Sequence, residues 1–226
     1  MDALTAKSIM SAPVVTIRPE LAVRDAVRLM LDRHISGLPV VDAEGRLVGI
    51  VTEADLLAKE AQPPVSEPLV GWFGRSLWLE RLVTGHRKVE GRTVGEVMTH
   101  NVVTAEEETP VHILAARMMR YGVNRLPIVR AGQVAGIVTR ADVLKVFLRS
   151  DELLVREGRR LLDDFLVYGE EVGLTVEGGV FLLHGVVGSA GRRQALLRRL
   201  WSIDGVVTVD DRELRETYRE TAAMWE

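Results

Sequence analysis

GIVTEADLL occupies residues 49–57, and GIVTRADVL repeats it at residues 136–144. The run before the threonine is typical of a strand, and the segment after it has the apolar spacing of a helix. In both copies an aspartate follows the threonine by three residues: Thr52 with Asp55, and Thr139 with Asp142. Polar residues kept at one spacing indicate a ligand site, and the alternative is a pair of plain helix caps.

The repeat extends beyond these nine letters. Residues 9–17 (IMSAPVVTI) match residues 97–105 (VMTHNVVTA), and residues 34–41 (HISGLPVV) align with VNRLPIV at residues 123–129. The offset between copies is 88 residues and falls to 87 after a turn that is one residue shorter in the second copy. Loops tolerate such changes, so the turn belongs to a hairpin.

Each copy predicts a strand, a helix, a hairpin and a closing helix. Short β-branched runs predict the first strands at residues 14–17 and 102–105, and helical apolar spacing predicts helices over residues 23–31 and 111–119. Thr52 and Thr139 fall at or near the N-caps of the closing helices, where unpaired N–H groups attract anions.

Composition excludes several classes of protein. With 226 residues, of which 47% are hydrophobic, the chain can bury a sizeable core. The absence of cysteine excludes a disulfide framework and a cysteine nucleophile, and it suits a reducing compartment. We find no signal peptide or transmembrane segment and predict a cytoplasmic protein. The five histidines lack metal-ligand spacing, and no nucleophile elbow or phosphate-binding loop occurs, so we predict neither a metal site nor catalytic residues.

The net charge of −3 is unevenly divided. Residues 1–150 hold 19 basic and 17 acidic side chains, whereas residues 151–226 hold 10 basic and 15 acidic ones. Neither part has the basic excess of a nucleic-acid-binding protein, so the sequence disfavours nucleic acid as a partner.

The motifs of the two copies resemble those of cystathionine β-synthase (CBS) domains. The resemblance covers residues 4–60 and 90–149, and it divides the chain into a first CBS domain (1–60), a linker (61–91) and a second CBS domain (92–149). It implies two βαββα units packed about a pseudo-two-fold axis in an α/β (α+β) fold. It also implies two clefts at the seam and a homodimer formed through the CBS units.

By motif position, the resemblance assigns residues to two nucleotide-binding clefts. Cleft A combines Ser11, Val15, Ile35 and Ser36 with Arg125, Ile137, Thr139, Arg140 and Asp142. Cleft B combines Gly37, Ile50, Thr52, Glu53 and Asp55 with Thr99, Val103, Val123 and Asn124.

The chemistry of these residues suits an adenosine ligand. An aspartate can accept hydrogen bonds from both ribose hydroxyls, and small apolar residues can contact the base. Arginines bind phosphate oxygens, whereas a glutamate repels them. Because Arg125 and Arg140 are assigned to cleft A, we expect that cleft to prefer AMP, ADP or ATP. Cleft B, with Gly37 and Glu53, is expected to be weaker, empty or suited to S-adenosylmethionine. No cofactor is required.

Residues 151–226 lie outside the repeat and predict a helix, a hairpin turning at residues 177–179, a helix capped by Ser189, and a last strand. This small α/β sandwich resembles a BON domain, which implies phospholipid or protein binding. Four arginines of the second helix are candidates for lipid phosphates, although a solvated helix face is the simpler interpretation: Arg192, Arg193, Arg198 and Arg199.

Two functional hypotheses remain. The first is a non-catalytic regulatory module that binds an adenosine ligand and signals to an unknown protein partner through dimer packing and the BON-like domain. The second is a scaffold or envelope-associated protein whose BON-like domain binds phospholipid or protein. The aromatic linker residues Trp72, Phe73 and Trp78 are expected to cover an apolar face or a dimer seam, or else to form a lid.

Overall fold

The computed structural model describes residues 4–60 and 92–217. The chain divides into two compact units: one holds Thr5–Arg140, and the other holds Leu4 together with the residues from Ala141 onward. The prediction for Trp72, Phe73 and Trp78 lies outside the described residues.

The first copy of the repeat is built from short elements that follow the predicted order. It contains helix α1 (Ala6–Ile9), helix α2 (Val23–Arg33), strands β1 (Gly37–Val41) and β2 (Leu47–Thr52), and helix α3 (Glu53–Glu60). The two strands pair in antiparallel register, with Gly37 opposite Thr52. The hairpin therefore brings the start of β1 next to the start of α3.

The second copy repeats this plan. It contains helix α4 (Val94–Val97), strand β3 (Ala105–Glu106), helix α5 (Val111–Arg120), strands β4 (Arg125–Arg130) and β5 (Gln133–Thr139), and helix α6 (Arg140–Leu144). Strand β3 is parallel to β4, and β4 is antiparallel to β5.

The predicted first strands are shorter than expected. In the first copy Ile17 alone forms a bridge, parallel to Val40, and in the second copy β3 has two residues. In the first copy Pro13 and Pro19 lie on either side of the run, and each lacks the N–H group that a longer ladder needs.

In each copy a residue near its start pairs with the second hairpin strand of the other copy, and the two pairings are equivalent. Ser11 of the first copy bridges Ile137 of the second, and Thr99 of the second bridges Ile50 of the first. These pairs are related by the repeat offsets, as a pseudo-two-fold arrangement requires. The core of this unit combines residues of both copies: Met30, Leu38 and Val51 lie with Val97 and Met98.

The C-terminal unit confirms the predicted order of elements. After a 3₁₀ turn (Lys145–Leu148) come helix α7 (Asp151–Phe165), the hairpin β6 (Glu171–Glu177) and β7 (Val180–Val187), helix α8 (Ala190–Trp201) and strand β8 (Thr208–Glu216). The sheet order is β6-β7-β8, with β8 parallel to β7. Its core holds Leu161, Phe181, Leu183, Leu196 and Leu200. The Ser189 hydroxyl accepts a hydrogen bond from the Arg192 N–H at 3.4 Å, which confirms the predicted cap.

Candidate functional site

Asp55, in the first turn of α3, is held by both copies of the repeat. Its Oδ2 accepts hydrogen bonds from the Thr52 backbone N–H at 3.0 Å and from the Thr52 hydroxyl at 2.7 Å. Its Oδ1 accepts one from the hydroxyl of Thr99, in the second copy, at 3.0 Å. A helix cap accounts for the contacts with Thr52, but it does not account for the contact with Thr99. The carboxylate therefore lies where the two copies meet.

A cavity of about 360 Å³ opens beside Asp55. The junction of β2 and α3 forms one wall, and segments of the second copy at residues 99–103 and 121–125 form the others. A volume of this size falls within the range of small-molecule sites.

Most residues predicted for cleft B line this cavity. They are Ile50, Thr52, Glu53, Asp55, Thr99, Val103, Val123 and Asn124. Gly37 is missing from the wall. Six further lining residues were not predicted: Ala54, Leu57, Asn101, Val102, Tyr121 and Gly122. Each of these residues lies within two positions of a predicted one in the sequence, and this proximity is the signal that could have indicated them.

Arg125, which the sequence assigned to cleft A, also lines this cavity. The Arg125 side chain starts from β4 of the second copy and extends to the first copy. There its Nη2 donates a hydrogen bond to the Ser36 hydroxyl at 2.7 Å. Its length accounts for the difference, because a long side chain near a symmetry axis can reach past it.

The charges around this cavity are mixed. Burial lowers the pKa of the Arg125 guanidinium, and the nearby carboxylates of Glu53 and Asp55 oppose that effect. Two carboxylates and one guanidinium thus line the cavity, which leaves a small negative excess. Such a site can accept a ribose diol and tolerates a neutral or positively charged group beside it better than a dianion.

The residues predicted for cleft A fall into several environments. Ser11 and Ile137 form the bridge between copies, and Val15 and Ile35 pack against the hydrophobic core. The Ser36 hydroxyl accepts a hydrogen bond from Arg125, and its role in cleft A stays a prediction.

The remaining cleft A residues lie around the start of α6. Thr139 is the last residue of β5, and the Arg140 N–H donates to the Asn124 carbonyl at 3.0 Å. Asp142 belongs to the other compact unit, where it is 6% exposed and its Oδ1 lies 2.9 Å from the Lys145 ammonium. Its role in cleft A stays a prediction.

No helix among the described residues is long and apolar enough to cross a bilayer. Nor do residues 4–60 and 92–217 contain three histidine or carboxylate side chains grouped closely enough to bind a metal ion.

Comparison with known proteins identifies the repeat. The family model of the CBS domain matches residues 6–61 and 94–149. The chain therefore carries a tandem pair of CBS domains.

Several relatives share this pair. The chain is 30% identical to L-aspartate semialdehyde sulfurtransferase of Methanocaldococcus jannaschii over 62% of its own length and 23% of the relative's. It is 31% identical to the chloroplastic CBS domain-containing protein CBSX2 of Arabidopsis thaliana over 59% of its own length and 58% of the relative's. The chain thus spans less than two thirds of both relatives.

One solved structure covers the same region. It is the CBS domain pair of protein MJ0100 in complex with 5′-methylthioadenosine and S-adenosyl-L-methionine. It superposes with a TM-score of 0.50 at 29% identity, over 64% of this chain and 96% of the other.

Proposed function

We propose that this protein is a non-catalytic regulatory module that binds an adenosine derivative in cleft B. One observation carries the proposal. The Asp55 carboxylate lines a cavity built by both CBS domains and is bonded to a hydroxyl from each of them. A ligand at this position contacts both domains, so it can bias their relative arrangement if it binds two arrangements with different affinity.

The cavity offers a suitable group for each part of adenosine. Asp55 accepts hydrogen bonds from the ribose hydroxyls, since an ionised carboxylate accepts such bonds through both of its oxygens. Ile50, Val103 and Val123 provide apolar contacts for the base. The complex of the MJ0100 domain pair with two adenosine derivatives supports this class of ligand.

The charge of the cavity narrows the choice of ligand. Glu53 and Asp55 disfavour a 5′-phosphate, and Arg125 offsets them only in part. We therefore propose that cleft B prefers 5′-methylthioadenosine or S-adenosylmethionine to AMP, ADP or ATP. The preference of cleft A for phosphorylated ligands stays a prediction, now supported by Arg140 without Arg125.

The proposed output is a change in dimer packing that an unknown protein partner detects. Leu31 on α2 and Met119 on α5 occupy equivalent positions of the repeat and are 68% and 80% exposed. A second copy of the chain is the proposed occupant, because a two-fold partner can cover two equivalent apolar positions at once.

The alternative is a scaffold or envelope-associated protein whose BON-like unit binds phospholipid or protein. Two of its candidate arginines are already engaged within the unit. Arg192 pairs with Glu170, and Arg193 pairs with Asp211 at 2.7 Å. Binding a lipid phosphate through either one requires breaking an ion pair, so we favour the regulatory function and a cytoplasmic location.

Thermal unfolding in the presence of 5′-methylthioadenosine tests the proposed function. At 100 times its dissociation constant the ligand stabilises a binding protein by about 2.7 kcal/mol. We expect this shift in the wild type and its loss in Asp55→Asn, which keeps an acceptor for Thr52 but loses the charge. Asp25→Asn is the matched control, because Asp25 also lies in the first turn of a helix. A full shift in Asp55→Asn contradicts the proposal.

A further inference from the structure

Arg125 and Gly37 occupy equivalent positions in the two copies, since the repeat offset at this point is 88 residues. Each is the first residue of the first hairpin strand. The two positions also meet in space, as equivalent residues on a pseudo-two-fold axis must. Arg46 and Gln133, another equivalent pair, form an antiparallel bridge and place the axis between the hairpins.

This meeting point has room for one side chain. A Cβ added to Gly37 stands 2.2 Å from Nη1 of Arg125, 2.9 Å from its Cζ and 3.0 Å from its Cδ. The guanidinium thus rests directly on the Gly37 backbone, while Nη2 bonds to the neighbouring Ser36 hydroxyl at 2.7 Å. We call Ser36 and Gly37 together the arginine seat.

The seat also connects to the wall of cleft B. The Ser36 carbonyl accepts a hydrogen bond from the Glu53 N–H, at the start of α3, at 3.2 Å. One residue of the first copy therefore holds the guanidinium through its side chain and the first residue of α3 through its backbone. The positive charge is thus held at a fixed place in the wall that also contains Glu53 and Asp55.

We propose that Gly37 is a specificity-determining residue of cleft B, acting through the seat that it gives to Arg125. This inference rests on the proposed function. Gly37 makes no contact with the ligand in this account. It fixes the position of the one guanidinium that offsets the two carboxylates, and a fixed charge binds an anionic group better than one that must first be ordered.

The test is a double-mutant cycle with Gly37→Ala and Arg125→Gln. Isothermal titration measures the dissociation constants of AMP and 5′-methylthioadenosine, and their ratio reports charge selectivity. Arg125→Gln should weaken AMP relative to 5′-methylthioadenosine by about tenfold or more, because a charge-assisted hydrogen bond is lost. Gly37→Ala should change the ratio in the same direction by about threefold or more, since the guanidinium loses its seat. In the Arg125→Gln background, Gly37→Ala should have no further effect.

A second variant weakens the same contact without adding a methyl group. Ser36→Ala removes the hydroxyl acceptor and should also lower the relative affinity for AMP when Arg125 is present. Gly191→Ala, in the C-terminal unit, is the control and should leave the ratio unchanged.

The outcomes separate the two proposals. If the wild type binds neither ligand, the proposed function fails and this inference fails with it. If the wild type binds but Gly37→Ala and Ser36→Ala leave the ratio unchanged, or change it equally without Arg125, the inference alone is overturned.

Discussion

Glu170 connects three parts of the C-terminal unit through a side chain that is 2% exposed. It accepts hydrogen bonds from Arg192 Nη2 at 2.7 Å, from the Gly188 N–H at 2.8 Å and from the Val167 N–H at 3.2 Å. The bond with Arg192 lowers the pKa of the Glu170 carboxyl below its usual 4.5, although burial opposes this. The carboxylate thus connects the end of α7, the end of β7 and the start of α8.

Replacing Glu170 by alanine should destabilise the protein and alter its acid sensitivity. Losing a buried carboxylate that accepts hydrogen bonds from a guanidinium and two backbone N–H groups costs about 1–3 kcal/mol. Because the pKa is lowered in the folded state, the carboxylate stabilises fully above pH 4.5, and this contribution is lost as the pH falls through the folded-state pKa. Urea unfolding followed by circular dichroism should therefore show a steeper loss of stability below pH 4.5 in the wild type than in Glu170→Ala. Identical pH profiles contradict this account.

At this scale the sequence predicts some residues of the site better than others. The spacing of Thr52 and Asp55 depends on one turn of one helix, so the repeated motif was enough to find it. The position of Arg125 depends on which equivalent residue faces it across the axis. A single copy of the motif contains no such information. From the sequence alone, Gly37 is the cleft B residue that stands where the other copy has an arginine. In the structure, the side chain of that arginine packs against Gly37.

Two helical glycines show how packing overrides local preference in the C-terminal unit. Gly191 lies in the first turn of α8, and the nearest atom to a Cβ added there is Ser189 Oγ at 3.9 Å. Gly158 lies within α7 and is buried, and a Cβ there stands 2.2 Å from Leu174 Cδ2 and 3.1 Å from Phe181 Cε2. Alanine is the better helix former at both positions, but only one of them has space for it.

We predict that the two alanine substitutions have opposite signs. Gly191→Ala should stabilise the protein by about 0.5–1 kcal/mol, because it lowers the entropy of the unfolded chain without strain. Gly158→Ala should destabilise it by about 1–3 kcal/mol through overpacking against the sheet. Urea unfolding measures both values, and a stabilised Gly158→Ala variant contradicts the packing described here.

The elements themselves follow from the sequence where their signals are local. Apolar spacing predicted helices over residues 23–31 and 111–119, and the structure extends them by two residues and one residue. The predicted length of the first strands was too great, because strand pairing depends on partners far away in the chain and on prolines nearby. Strand β8 was predicted from its β-branched start, but its parallel pairing with β7 is a tertiary property.

At the scale of the whole molecule, the duplication determines more than the fold of each CBS domain. It places equivalent apolar residues, Leu31 and Met119, on equivalent helices, and it lets each copy complete the hairpin edge of the other through the Ser11–Ile137 and Thr99–Ile50 bridges. The same symmetry brings Gly37 and Arg125 together. Because the two copies differ at this one pair of positions, the cleft receives a single positive charge.

The dimer proposal predicts that charge on this pair of helices dissociates the protein. The wild type should elute with twice the monomer mass of 25.1 kDa, and the double variant Leu31→Glu, Met119→Glu should elute as a monomer, since each glutamate would have to be desolvated at the interface. Light scattering coupled to size-exclusion chromatography measures the mass. Leu148→Glu is the control, because Leu148 is 81% exposed and lies outside both helices. A monomeric wild type, or a double variant that stays dimeric, contradicts the proposal.

The central claim is that Asp55 binds the ribose of an adenosine ligand between the two CBS domains. The most direct measurement is a crystal structure of the full chain with 5′-methylthioadenosine. We predict the ligand in the cavity beside Asp55, with ribose hydroxyls about 2.5–3.0 Å from its carboxylate oxygens. A ligand bound elsewhere, with Asp55 making no contact to it, would contradict the account.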